Sequence, residues 1–540
     1  MIYILLSLML ILPTLLGIGG LASQKIKLWD GISSDLVMGI VSISIVWTAL
    51  AFFIPINTAV EIPTLLLGIS LFIYQRKYRA LGSFLREHYR IFVPVLFIIL
   101  FFGAFYPFIL DHFGYYVPSI KWIREVGMPR GISNLDLLLG QMSIWHIFQA
   151  GFSNLSDTFL RMNSLMLAGY LIYILERRVF VHLLFFPILF LFVQSPSADL
   201  PVIILSMLVL NETMRSNTNA KGLFLLSVFI FIIKPTAIWV PVFVFLYNLF
   251  CLRQKPLSWM PAGLALVLLF CFKNIWLFGY PIFPVAVIDL NLPWKPNPEL
   301  LKNSAMIAIM KTYNLQYTYA EIHSFSKWDY IKNWLLLEGI KGKIHILFII
   351  SLMILCFHTF ISRKKVLYLL CGAVLLKSAM VLAFSAQYRF FLEVFFVMIF
   401  ILTYQKAGKK TAILGFTVMT LAIAFVLSTP QWLQKQLPSF YLGYFMGGFN
   451  ENQWLKPSEY QLNQYKSHKV GNLEFYLSAE DYPFMFDTPL PTISNGFLKD
   501  YLRLGIFPQW DSERKKNGFH WKKLNPKEIQ ELKKAISLKQ

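Results

Sequence analysis

Fourteen apolar runs follow one another up to residue 428, at about 1–22, 35–54, 60–74, 91–110, 160–175, 179–194, 200–211, 222–235, 237–252, 257–272, 345–361, 366–384, 389–404 and 411–428. A run of about 20 apolar residues spans the hydrocarbon core of a bilayer as a helix. Within lipid every backbone N–H and C=O must be satisfied inside the protein, which a helix does by itself. The pattern therefore predicts an all-α multi-pass membrane protein with about 14 transmembrane helices. Runs shorter than a full span predict tilted, broken or partly re-entrant helices. Composition agrees: 57% of residues are hydrophobic and only 14% charged, against about 25% charged in soluble domains.

The net charge of +21 would suggest nucleic acid in a soluble domain. Here the cations sit in short loops, at Arg76–Arg79, Arg177-Arg178, Arg253–Lys255, Arg363–Lys365 and Lys406–Lys410. That is the positive-inside pattern of cytoplasmic loops, and no nucleic-acid partner is expected. Alternation then puts both termini, residues 111–159, 195–199, 273–344 and 385–388, and the tail outside. The first run has no basic residue before it, unlike a cleaved signal peptide, so a retained first helix is expected. The four cysteines lie in or beside apolar runs without metal-ligand or redox spacing, and read as free thiols.

Two outer loops, 111–159 and 273–344, are too long to be simple connections. In the first, the run 91–110 ends on Asp111, followed by His112, Tyr115 and Tyr116 and a short helix with Pro118 in its first turn and Gly127 as its stop. Asp136, Gly140, Ser143, His146 and Gln149 then form a polar stripe, expected as a helix lying on the membrane or packed in an outer domain. In the second, Asn297-Pro298-Glu299 predicts a capped helix to about Lys311, and another helix runs from Lys327 to Glu338. The tail, 429–540, has no spanning run and reads as a small C-terminal extracytoplasmic region after a membrane domain of residues 1–428, ending in a short polar helix from Lys527.

Polar groups gather at the outer ends of several runs: Gln194–Pro201 with Asp199, Lys234-Pro235, Lys273-Asn274 followed by Gly279-Tyr280-Pro281, and Gln387-Tyr388-Arg389. Ionisable groups at such depth cost about 2.5–3.5 kcal/mol on insertion scales and tend to mark function. Three cations, Lys234, Lys273 and Arg389, suit a phosphate, and a carboxylate suits a base for an attacking hydroxyl. Asp111, Asp199 and Asp136 all qualify as that base or as a metal ligand.

The helix-Asp-Tyr-Tyr pattern of Asp111–Gly127 resembles the first outer loop of GT-C membrane glycosyltransferases. Taken in order with Ser195–Pro201, Lys234-Pro235, Lys273-Asn274 and Tyr388-Arg389-Phe390, it also resembles a GT-C-like family of bacterial polytopic membrane proteins. The resemblance implies a GT-C-like architecture and an inverting enzyme of the outer face of the bacterial cytoplasmic membrane. It implies transfer of a sugar from a polyprenyl-phosphate-linked donor to an envelope glycan, lipid or protein acceptor. Asp111 would be the catalytic base, with His112, Tyr115, Tyr116, Asp136 and Asp199 supporting it or the acceptor. Lys234, Lys273 and Arg389 would bind the lipid phosphate, and Asn274, Tyr280, Gln387 and Tyr388 would line the pocket. Many GT-C enzymes carry Asp-Asp or Asp-Glu where this chain has Asp111-His112, which leaves the base assignment and a divalent metal open; no cofactor and no metal ligand is assigned. Rival readings are a lipid-linked oligosaccharide flippase or other transporter, a polysaccharide polymerase or ligase, and a structural membrane partner.

Overall fold

The computed structural model describes residues 1–436, 447–480, 484–511 and 518–537. The chain is mostly helical. Among the described residues six helices are long and apolar enough to cross a membrane: Ile2–Ser23, Ile32–Ala51, Met260–Phe278, Ile340–Ser362, Lys365–Phe384 and Lys409–Ser428. The expectation of about 14 spans is thereby corrected. The run 179–194 folds as two 3₁₀ segments, Phe180–Leu184 and Phe186–Phe192. The run 222–235 stops at Ile233, because Pro235 lacks an N–H and disfavours helical backbone at Lys234. The run 237–252 gives only Trp239–Phe250. Asp199–Met214 is buried from Leu200 through Thr213, which fits a stretch from Leu200 to Leu210 that is apolar but for Ser206 and is packed on every face.

Hydrogen bonds between element ends define two ends of the bundle. At one, Arg161 Nε donates to the Gly103 carbonyl at 2.8 Å, Gln194 Nε2 to the Phe102 carbonyl at 3.0 Å, and Asn163 Nδ2 to the Ser195 carbonyl at 2.7 Å. At the other, the Glu176 carboxylate accepts from the Ile32 and Ser33 amides, capping that helix start, and Arg177 pairs with Glu212 at 3.0 Å. A cleft of about 920 Å³ opens at this second end, lined by Lys27, Asp35, Lys77, Glu87, Glu176 and Arg178 among others.

The first two helices cross in near contact. A Cβ at Gly19 would collide with the Asp35 carbonyl, and one at Gly39 with the Leu15 carbonyl. Small residues permit such backbone approach between apolar helices. Gly39→Val is expected to cost about 1–3 kcal/mol or more, seen as a lower Tm of the detergent-purified protein; an unchanged Tm would contradict the close crossing.

The mostly helical chain agrees with the all-α expectation, and among the described residues it adds four short strands after residue 447. Tyr465–Val470 pairs antiparallel with Leu473–Ser478, and Ile506–Trp510 with Phe519–Lys523. The first hairpin turns through Gly471-Asn472, with Gly471 at φ +61°, a residue type suited to that backbone. This region packs on the 111–159 segment: Lys121 Nζ donates to the Thr488 carbonyl at 2.8 Å, Tyr501 Oη to the Asn134 carbonyl at 2.8 Å, and the Phe519 amide to the Arg130 carbonyl at 2.8 Å. The polar helix Pro526–Ser537 follows; residues 538–540 of the expected C-terminal stretch lie outside the described residues.

Candidate functional site

The helix expected to end on Asp111 ends earlier. Lys77–Gly103 stops four residues before Pro107, whose ring disfavours helical backbone at Tyr106. Asp111 instead opens the next element, a π-helical turn His112–Tyr116 continuous with the helix Val117–Glu125. Such turns gather at functional sites. The turn carries Asp111 and Tyr115 half-buried and His112 and Tyr116 buried.

Arg389 reaches Asp111 from the 3₁₀ turn Tyr388–Phe390, its Nη1 donating to Asp111 Oδ2 at 2.7 Å. Burial opposes the charge on Arg389, but Asp111, with Tyr115, Tyr116 and Asp199, outweighs it and raises its pKa. Beside it, Lys234, extended at the end of its helix, donates to Asp199. Asp199 begins the helix Asp199–Met214, where a carboxylate is favoured, and its amide donates to Ser197 Oγ at 3.1 Å. Phe390 lies between the two cations, 5.0 Å from the Arg389 guanidinium and 5.6 Å from Lys234 Nζ, measured to the ring centroid. Tyr115, Tyr116 and His146 form an aromatic cluster, with centroids 4.5 Å apart for the tyrosines and 5.1 Å for Tyr116 and His146. Burial, then the neighbouring tyrosine and Asp111, push the Tyr115 hydroxyl's pKa well up, and burial with Asp111 and Asp199 does the same for Tyr116, so both stay neutral donors.

Beneath this group is an ion pair absent from the sequence reading. Lys377 Nζ donates to Glu393 Oε2 at 2.6 Å, with side chains 1% and 5% exposed. Lys377 interrupts the apolar run 366–384, the one signal that could have found it.

The structure thus brings together Asp111, Tyr115, Tyr116, Asp199, Lys234, Tyr388 and Arg389. It holds Lys273, Asn274, Tyr280 and Asp136 in a second group. The buried Lys273 donates to the Met142 carbonyl at 2.8 Å, and Asn274 Nδ2 to the Pro281 carbonyl at 2.9 Å. Tyr280 is buried against Leu137 and Phe278. Asp136 Oδ1 accepts from the Leu138 amide at 2.9 Å, capping the 3₁₀ turn Leu137–Gln141. The polar stripe accordingly folds as that turn and the helix Ile144–Phe152, buried throughout rather than lying on a surface. His112 packs on Phe113 and Phe486; burial, then Arg161, hold its pKa well down, so it is a neutral imidazole. Gln387 Nε2 donates to Ser385 Oγ at 2.7 Å. Among the described residues no three His, Cys, Asp or Glu side chains are grouped so as to hold a metal ion.

Burial raises the Asp136 pKa to about 7, with the Leu138 amide opposing. A carboxyl whose pKa is higher folded than unfolded stabilises the fold below its unfolded value, and that contribution is lost as pH rises through the folded value. Asp136→Asn keeps the cap. Its Tm is expected to match wild type near pH 4 and exceed it by several degrees at pH 8; a constant difference across that range would refute the linkage.

Every residue of the Asp111–Arg389 cluster, and the Lys377–Glu393 pair beneath it, lies before residue 396. No curated protein and no solved structure matches the chain. Residues 1–396 match a domain of unknown function, DUF8201, and the chain belongs to that family.

Proposed function

We propose that this protein is an inverting membrane glycosyltransferase of GT-C type. It transfers a sugar from a polyprenyl-phosphate-linked donor to an envelope glycan, lipid or protein acceptor on the outer face of a bacterial cytoplasmic membrane. The observation that carries the reading is the Asp111–Arg389 pair set beside Lys234–Asp199, at the end of the bundle where the element ends near Gly103 and Ser195 are tied together.

In this reading the acceptor hydroxyl gives its proton to Asp111, whose Oδ2 holds Arg389 and whose Oδ1 faces the acceptor. The acceptor oxygen forms a bond to the anomeric carbon as the bond to the donor phosphate breaks. The electron pair leaves on the phosphate, which Arg389 and Lys234 stabilise. One base with one phosphate leaving group gives inversion, since a double displacement needs a second carboxylate acting as nucleophile. The phosphate role expected of Lys273 passes to these two cations, because the Lys273 ammonium is held by the Met142 carbonyl.

The test is sugar transfer by the purified protein from a mixed extract of polyprenyl-phosphate-linked sugars, with the product's anomeric configuration read by NMR. An inverted product supports the reading; a retained one overturns the single displacement. One observation favours a transporter instead: the Lys377–Glu393 pair buried in the bundle and the polar cleft at its other end resemble a charged path through the protein. No transfer, together with transbilayer movement of the lipid in proteoliposomes, would decide for it.

A further inference from the structure

The segment 298–345 wraps the Ser385–Phe391 stretch from outside. The helix Pro298–Thr312 is joined to it where Ser385 Oγ donates to the Ala308 carbonyl at 3.1 Å. The helix Lys327–Leu335 is joined where Trp334 Nε1 donates to the Ala386 carbonyl at 2.9 Å. His345, in the helix Ile340–Ser362, stacks on Trp334 at 4.3 Å, and Phe348, one turn on, stacks on Phe391 at 4.1 Å.

This clamp delivers two lysines to the Arg389 guanidinium. Lys311, one turn after Ala308, lies within electrostatic range of both Arg389 and Asp111. Lys341 feels the charge of Arg389, stands 5.5 Å from the Tyr388 ring centroid and donates to Asn314 Oδ1. Neither lysine forms an ion pair with a carboxylate among the described residues, whereas Arg389 and Lys234 each do. Four cations (Lys234, Lys311, Lys341 and Arg389) against two carboxylates (Asp111 and Asp199) leave two positive charges unbalanced. Arg389 gives Nη1 to Asp111 and its side chain is 38% exposed, so the guanidinium keeps an accessible edge for a further acceptor.

We infer that Lys311 and Lys341 complete an anion site on Arg389 for a lipid diphosphate, so that the donor carries its sugar on two phosphoryl groups rather than one. This rests on the glycosyl-transfer reading and narrows its substrate. A phosphate joined to both sugar and lipid bears one negative charge, and the corresponding diphosphate bears two, matching the unbalanced pair. Each lysine can add a charge-assisted hydrogen bond to a phosphoryl oxygen.

The experiment is equilibrium binding to the detergent-purified full chain of three probes: C15 prenyl methyl phosphate with one charge, C15 prenyl methyl diphosphate with two, and inorganic pyrophosphate. The wild type should bind the prenyl diphosphate at least about tenfold more tightly than the prenyl phosphate. Lys311→Gln/Lys341→Gln should abolish that preference, weakening the prenyl diphosphate at least about tenfold more than the prenyl phosphate with Tm unchanged, and Lys302→Gln, on the same helix, should leave the preference intact. Equal binding of the two lipids, both weakened by Arg389→Gln, would overturn the diphosphate assignment while the phosphate site stands. A preference that survives in the double variant would overturn the role of the two lysines. Inorganic pyrophosphate binding as tightly as the prenyl diphosphate would overturn the lipid assignment. Binding of none of the three would overturn this inference and the lipid-phosphate reading together.

Discussion

Asp111→Asn is expected to lower sugar transfer by about 10²–10⁴-fold, the usual contribution of a positioned general base, with KM for the donor nearly unchanged. The amide keeps the shape of the side chain and can still lie beside Arg389, but it cannot take a proton. Because the Asp111–Arg389 pair is part-exposed, with side chains 21% and 38% accessible, losing its charge should shift Tm little. Rate loss with a normal melting curve therefore separates chemistry from folding. If the variant turns over like wild type, the base lies elsewhere, and geometry names the successor. Asp199 lies in the same cluster, beside Lys234. Asp136 has one oxygen capping Leu138 and the other buried without a partner, so it offers an acceptor hydroxyl no accessible lone pair.

What could be read from sequence was whatever depends on local chemistry. The cap at Asn297 and the helix after it formed as read, as did the short helix with Pro118 in its first turn, and Gly127 adopts a positive φ just past its end. Apolar runs marked where helices lie but not their lengths. Pro107, Pro187 and Pro235 each sit where an apolar stretch becomes irregular or 3₁₀ backbone, an effect visible residue by residue that a composition window averages away. At the site, order along the chain was enough to suggest Asp111, Asp199, Lys234 and Arg389. It could not separate them from Lys273, because a lysine at a helix end looks the same whether it meets a carboxylate or a backbone carbonyl. Lys311 and Lys341 escaped notice for a related reason: on amphipathic or interfacial helices a lysine is ordinary, and only the hydrogen bonds of Ala308 and Trp334 to the 385–386 stretch bring them to Arg389.

Lys377→Met is expected to destabilise the protein by about 3–5 kcal/mol, the range for removing one partner of a buried ion pair. Glu393 has one oxygen on Lys377 and the other buried without a partner, so the variant leaves a carboxylate with no cation in an apolar setting. The observable is a large drop in Tm and in the amount of protein recovered from membranes. Lys377→Met/Glu393→Leu should recover most of the loss, because replacing a whole buried pair by apolar groups of similar volume is often neutral or stabilising. A single variant as stable as wild type would mean that the two charges do not meet. The double variant also tests a link to function. Glu393 is in the first turn of the helix Leu392–Thr403, four residues after Arg389, and Lys377 anchors that turn to the Lys365–Phe384 helix. If the anchor sets where the guanidinium stands, the double variant should fold normally yet bind the donor phosphate more weakly, with KM raised more than kcat is lowered. If KM stays at the wild-type value, the pair serves folding alone and the position of Arg389 is fixed by Asp111 and the clamp around Ser385–Phe391.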